Sequence, residues 1–280
     1  MSSKLLPALI AFIFLFGFTG GCQQKETKGL VTISTSFGDI KIRLNPDTPK
    51  HSENFKSLVK SGFYNNTTFH RVISEFMIQG GDPNTRNPNF QGKPGQGDTT
   101  YTLDPEFLSS KYIHKRGAVA MARTGDEINP MRRSSGCQFF IVQGKKISDE
   151  ELNQIENYIQ QDQMQFFGKQ FFGRPENDFL RKIDFQTLQK SNPDSVTKLS
   201  MDFEKRMRVA FEKEVKPFKY SPEQKKLYKE VGGAPFLDNM YTVFGEVVEG
   251  MDVVEKIIAV QKDENDKPLK DIRITAKIQD

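Results

Sequence analysis

An arginine set among large apolar residues is the first pattern in the chain that suggests chemistry. Thr68-Phe69-His70-Arg71-Val72-Ile73 is followed two residues later by Phe76-Met77-Ile78-Gln79-Gly80-Gly81-Asp82. Strand alternation puts Phe69, Arg71 and Ile73 on one side and His70 and Val72 on the other. In the second run, Phe76 and Ile78 face away from Met77 and Gln79. A guanidinium placed there keeps its charge at any working pH and offers several N–H donors. The plainer alternative is a surface charge whose stem packs on its neighbours. Other chemistries lack their residues: there is no Gly-rich phosphate loop ending in Lys-Ser/Thr, no Gly-x-Ser-x-Gly elbow and no His-Glu-x-x-His. With Cys 2 and His 3, a Cys/His zinc site and a disulfide framework are both excluded. His51, inside a predicted helix, and His114, in a basic loop, read as solvated side chains.

The elements that must position Arg71 follow from periodicity. Val31 and Ile33, then Ile40, Ile42 and Leu44, alternate with polar residues around Phe37-Gly38-Asp39, which predicts a half-buried hairpin. A helix follows, with Thr48 as N-cap, Pro49 at its first position, Phe55, Leu58 and Val59 as its stripe and Gly62 in the left-handed C-terminal position. Strands are predicted over 68–73, 76–79, 118–123 and 139–142, with a Gly-, Pro- and Asn-rich loop over 82–100. Period two returns at 242–247, followed by a short helix over 251–259 and a last strand carrying Ile272, Ile274, Ala276 and Ile278. Residues 145–234 read differently. Ser148-Asp149-Glu150-Glu151 is a capping box, continued at helical spacing by Leu152, Ile155, Ile159 and Phe166. Phe179, Leu180 and Ile183, then Val196, Leu199, Phe203, Met207 and Phe211, predict two further helices.

Taken together, these segments resemble the signature segments of the cyclophilins, the peptidyl-prolyl cis-trans isomerases. The residues that carry the resemblance are Phe69 to Ile73, Phe76 to Asp82, Met121-Ala122, Ser135-Gly136-Cys137-Gln138-Phe139-Phe140-Ile141, and Phe236-Leu237-Asp238 with Val243-Phe244-Gly245, in the family's order. The resemblance covers 30–144 and 235–280. It implies a mainly β fold, a closed eight-stranded antiparallel barrel capped by two helices, with 145–234 as a helical insertion that emerges on the surface and leaves the barrel intact. It gives Arg71 the role of hydrogen-bond donor beside a twisting prolyl bond, with Phe76, Met77, Phe140 and Leu237 as the apolar slot for the proline. It makes Gln79 a contact to substrate backbone, has Gln138 support Arg71 and the peptide, and assigns Ala122 and Arg123 to the strand that pairs with substrate. Three positions depart from the family's common pattern. Arg123 replaces Asn, Phe236 replaces a Trp that contacts cyclosporin, and Tyr241 replaces His at the rim. Deleting 146–233 is expected to leave turnover of short peptides unchanged. Gly80-Gly81 and Asp82 are explained by turn geometry, and Cys137 by burial.

The ends and the overall charge complete the reading. Lys4 precedes an apolar run from Leu5 to Phe18, then Thr19-Gly20-Gly21-Cys22. The run is short for the ~30 Å hydrocarbon layer and contains Pro7, so it reads as an export signal rather than a retained span. Small residues before a cysteine resemble a bacterial lipoprotein signal, which makes 1–22 the signal, Cys22 the lipidated residue and 23–29 a tether of at most roughly 23 Å. The expected location is the cell envelope, lipid-anchored to the membrane and facing the periplasm. Lys+Arg 40 against Asp+Glu 36 gives +4 with alternating signs, too balanced to announce a nucleic-acid partner. The expected partners are proline-containing polypeptides, no metal or cofactor is called for, and a monomer suffices. A competing class stays open: a proline-binding module or holdase with little turnover, its insertion cradling unfolded chains.

Overall fold

The computed structural model describes residues 30–279, so the predicted signal, Cys22 and the tether lie outside the described residues. The hairpin forms as β1 (Val31–Thr35) and β2 (Gly38–Leu44), turning at Gly38, whose φ of 127° suits a residue without Cβ. Helix α1 (Pro49–Lys60) starts where predicted. Thr48 makes no side-chain cap, because its hydroxyl lies 3.3 Å from Ser52 Oγ instead. Strands β3 (Phe69–Ile73), β4 (Met77–Gly80), β6 (Ala118–Met121) and β8 (Phe139–Val142) match the expected runs, and two short strands, β5 (Thr102–Leu103) and β7 (Ser134–Ser135), pair separately. After a helical stretch come β9 (Val243–Glu249), α7 (Met251–Ile258) and β10 (Thr275–Ile278).

Eight strands form one antiparallel sheet in the order β10-β1-β2-β9-β6-β8-β4-β3. The expected closed barrel is corrected to an open one, a half-barrel whose edges β3 and β10 share no strand ladder. Between them stand one bridge, Thr68 to Arg273, and backbone bonds such as Phe69 N to Ile272 O at 3.0 Å. The reason is local. The chain beside β3 is a turn over 263–267 with Asp266 at φ 63°, followed by Pro268, which has no N–H to give a ladder.

Inside the curved sheet, Val31, Ile33, Ile40, Ile42, Val72, Ile78, Val119 and Ile141 form the core, each fully buried. Phe55 and Val59 of α1 and Val253, Val254, Ile257 and Ile258 of α7 close it from the two helices. The Phe55 ring lies 5.0–5.2 Å from those of Tyr64, Phe139 and Phe244. Such tilted and edge-on aromatic pairs add about 0.5–1.5 kcal/mol each beyond area burial.

Residues 145–234 carry α2 (Asp149–Phe172), α3 (Asp178–Arg181), α4 (Phe185–Ser191), α5 (Pro193–Glu214) and α6 (Pro222–Glu230). The Ser148 capping box forms as predicted, with Glu151 reciprocating. Two apolar clusters divide this segment. Phe167, Phe171 and Phe211 form a core of their own, whereas Leu152, Ile159, Phe218, Tyr220 and Tyr228 share one with Ile113 and Met240 of the sheet domain. The eight-stranded sheet takes no strand from this segment, but its near half packs against loops of the sheet domain and does not stand free of it.

Candidate active site

Strand register builds the site on the outer face of the sheet. Arg71 stands opposite Gln79, Gln79 opposite Phe140, and Phe140 opposite Ala120, one transverse row over β3, β4, β8 and β6. A parallel row runs Ile73, Met77 and Val142. The outer side chains Met77, Phe140, Leu237 and Val243 form an apolar cluster, with Phe76, Ala122 and Tyr241 packed against it. A bulge in β3 between Phe69 and Arg71 makes this possible. The alternation that groups Phe69 with Arg71 is corrected here: the bulge sends Phe69 into the inner core and Arg71 outward.

Met77 and Phe140 lie almost flush at 2% and 4% exposure, while Phe236 stands up at 43% with its ring 5.4 Å from Phe76. Gln79 is the wall between two open clefts. One, about 880 Å3, is lined by His70, Arg71 and Gln79 opposite the turn at 263–267. The other, about 510 Å3, is lined by Gln79, Ala122, Arg123 and Gln138. Arg71 is half-exposed, with its Nε 3.9 Å from Asp266 Oδ2.

Gln138 does not reach Arg71, which corrects the supporting role expected of it. Its Oε1 accepts from Gln79 Nε2 at 3.0 Å and its own amide donates to the Gly95 and Gly97 carbonyls, so it fixes Gln79. Ala122 uses both main-chain groups internally, donating to Gln138 O and accepting from Ser135 N. Arg123 folds its side chain onto the rim: Nε donates to Met240 O at 2.9 Å, the guanidinium lies 4.5 Å from the Tyr241 ring centroid, and Asp126 accepts from it.

The histidines are the clearest departures from the sequence reading. His51 is fully buried, its Nδ1 2.7 Å from Glu106 and its Nε2 2.9 Å from Ser134 Oγ. Burial lowers its pKa against the pull of Glu106. His114, also buried, sends Nδ1 to Asp238 Oδ1 at 2.7 Å. A helix and a basic loop suggested solvent for both; here each ring has a carboxylate partner inside. His70 has neither ring nitrogen bonded, and burial pulls its pKa down to about 4. Cys137 is buried, and burial beside Asp98 pushes its thiol pKa up. Gly81, at φ 93°, would put a Cβ 2.5 Å from Cys137 O, and Asp82 accepts from Asn84, Gly95 and Gly97 amides, so both serve the turn.

The family model for cyclophilin type peptidyl-prolyl cis-trans isomerase/CLD matches residues 30–200 and 223–278. The chain belongs to this family. Among its relatives, a Staphylococcus saprophyticus protein whose name assigns it to the peptidyl-prolyl cis-trans isomerases is 32% identical over 86% of each chain. A Staphylococcus epidermidis protein named in the same way is 30% identical, covering 90% of this chain and 91% of its own. A cyclophilin type isomerase of Cryptosporidium parvum shares the fold at TM-score 0.52 and 21% identity, over 90% of this chain and 98% of its own. A second structure of that protein, determined in the presence of the dipeptide Ala-Pro, matches at TM-score 0.51.

One part of this cyclophilin's site was not legible in its sequence. Asp238 is fully buried and accepts four hydrogen bonds, from the His114 N–H and ring and from the Tyr220 and Tyr228 hydroxyls. Helix α6, which supplies Tyr228, carries only Leu227 and Tyr228 as apolar signal, too little for a periodicity reading.

Proposed function

We propose that the protein accelerates rotation about Xaa-Pro bonds without a covalent step, on the outer face that carries Arg71, Gln79 and Phe140. Amide resonance sets a barrier of about 18–20 kcal/mol, and the uncatalysed step takes tens to hundreds of seconds. In the twisted transition state the prolyl nitrogen regains its lone pair, and a donor that meets that state better than either planar one lowers the barrier. Arg71 is this donor, and the Phe76, Met77, Phe140 and Leu237 surface holds the proline ring. Gln79, fixed by Gln138, meets substrate backbone, and the Arg123 main chain takes the neighbouring residues. One charge-assisted bond of ~1.5–3 kcal/mol supplies one to two powers of ten; holding the proline while its neighbour turns supplies the rest.

The observation that carries this reading is the single transverse row Arg71, Gln79, Phe140, which sets a permanent cation two strands from an apolar floor. A proline-containing peptide is the substrate class, in keeping with the relative studied with Ala-Pro. The deciding experiment follows isomerisation of a short Xaa-Pro peptide with the wild type beside Arg71→Ala. Acceleration by the wild type, reduced in the variant, supports the reading. A wild type that binds the peptide without accelerating it makes the protein a binding module instead.

The export role belongs to the same proposal. Cys22 after Thr19-Gly20-Gly21 tethers the domain to a membrane of the cell envelope, facing the periplasm, where it acts on exported polypeptides. Metabolic labelling with a fatty acid, lost in Cys22→Ser, tests the anchor.

A further inference from the structure

The near half of the helical segment grips the rim of the site from two sides. On one side, Tyr228 of α6 and Tyr220 just before it reach Asp238 Oδ2 at 2.5 and 2.8 Å. Burial raises both phenol pKa values, so both hydroxyls keep their protons and donate. His114 fills Oδ1 of the same carboxylate. Gln224 of α6 adds a link, donating to Ser109 O at 2.7 Å while Ser109 Oγ accepts from Asn239 N at 2.7 Å. On the other side, Asp162 of α2 makes a two-pronged pair with Arg132, whose side chain is 3% exposed and lies over Phe166. Arg132 also binds Asp126, Asp126 binds Arg123, and Arg123 donates to Met240 O. Both chains of contacts end on the loop over 235–241, the one that holds Phe236, Leu237 and Tyr241.

We infer that Tyr220, Tyr228 and Asp238 are positioning residues of the isomerase, through which the helical segment holds the proline-binding loop in its working place, with Asp162 and Arg132 as the second anchor. None of them lines either cleft beside Gln79. A buried carboxylate with four donors is costly to disturb, since each lost donor leaves an acceptor unmet in the interior. The loop itself has only short turns of its own, including Asn239 at φ 63°. Its place is therefore set from outside.

The inference rests on the reading that Leu237 bounds the proline slot, and its test separates the two. The full chain is assayed as wild type, Tyr220→Phe/Tyr228→Phe, Asp162→Asn, Arg71→Ala, and Tyr158→Phe as control, an exposed tyrosine of α2. A short Ala-Pro peptide gives kcat/KM, and amide hydrogen exchange follows 236–241 and β1–β2 separately. The double tyrosine variant is expected to lose about fivefold or more in kcat/KM, and Asp162→Asn about threefold. Exchange should rise at 236–241 and stay unchanged in β1–β2, while Tyr158→Phe matches the wild type. A loss below threefold in the double variant, or exchange that rises equally across the sheet, overturns the inference. If the double variant does not fold, Tyr220→Phe alone decides by the same two readouts. Equal rates for wild type and Arg71→Ala would remove Arg71 from its role, and loop exchange would still decide the brace.

Discussion

The two faces of β3, β4, β8 and β6 share one backbone and one set of ladder bonds, yet they differ in almost everything else. Inward, Val72, Ile78, Ile141 and Val119 stand in one row, all fully buried. Outward, the next row holds Arg71, Gln79, Phe140 and Ala120, and runs from a half-exposed cation to a covered ring. The ladder therefore gives no preference between the faces; the side chains do. The inner row is apolar and buried from end to end, whereas the outer row passes from a buried apolar cluster at Phe140 and Ala120 to polar groups at Gln79 and Arg71 that contribute little to folding and much to a guest.

Four measurements can break or sharpen that contrast. Ile141→Ala empties the inner row and should cost about 2–5 kcal/mol in urea unfolding, with activity per folded molecule kept. His70, beside the bulge where the faces exchange, comes next. Its folded pKa of about 4 lies below the ordinary 6.5, so between those values the unfolded chain takes up a proton that the folded one refuses. Stability should fall as pH drops from about 6.5 to about 4, by at most about 3 kcal/mol, and His70→Gln should make that fall shallower. His51, lowered in the same direction, adds to the slope in both proteins. Arg71→Ala should reduce kcat/KM about 10- to 100-fold while the unfolding midpoint stays in place, the outer-face signature. Asp266→Ala, which removes an exposed partner at 3.9 Å, should change kcat/KM less than about threefold, with the difference fading at high salt. An inner-row change that altered catalysis alone, or an Arg71 change that unfolded the protein, would end the division.

Much of this arrangement was legible. Alternation found the eight main strands, and the linked motifs named Met77, Phe140 and Leu237 as one apolar slot with Gln79 beside it, residues that the fold gathers on one face. What failed did so where one residue shifts a pattern or where the partner is far along the chain. The bulge after Phe69 reverses which residues share a face with Arg71, and periodicity has no mark for one extra residue. His51 meets Glu106 across 55 residues, and His114 meets Asp238 across 124, so local context suggested solvent for both. The helical segment was recognised as helix, but its grip on Asp238 depends on two hydroxyls and no stripe. Deleting 146–233, expected to spare turnover, removes Tyr220 and Tyr228 and should cost most of the activity on a short peptide; retained full activity would return the segment to the status of an appendage.

The pairing of Val31 with Ile278 joins the first described strand to the last. One edge of β1 therefore waits, its N–H and C=O groups unmatched, until β10, about 240 residues further along the chain, is available to pair with it. An isomerase closed in this way carries an open flank on β1, available to any passing strand, for as long as its last strand is missing.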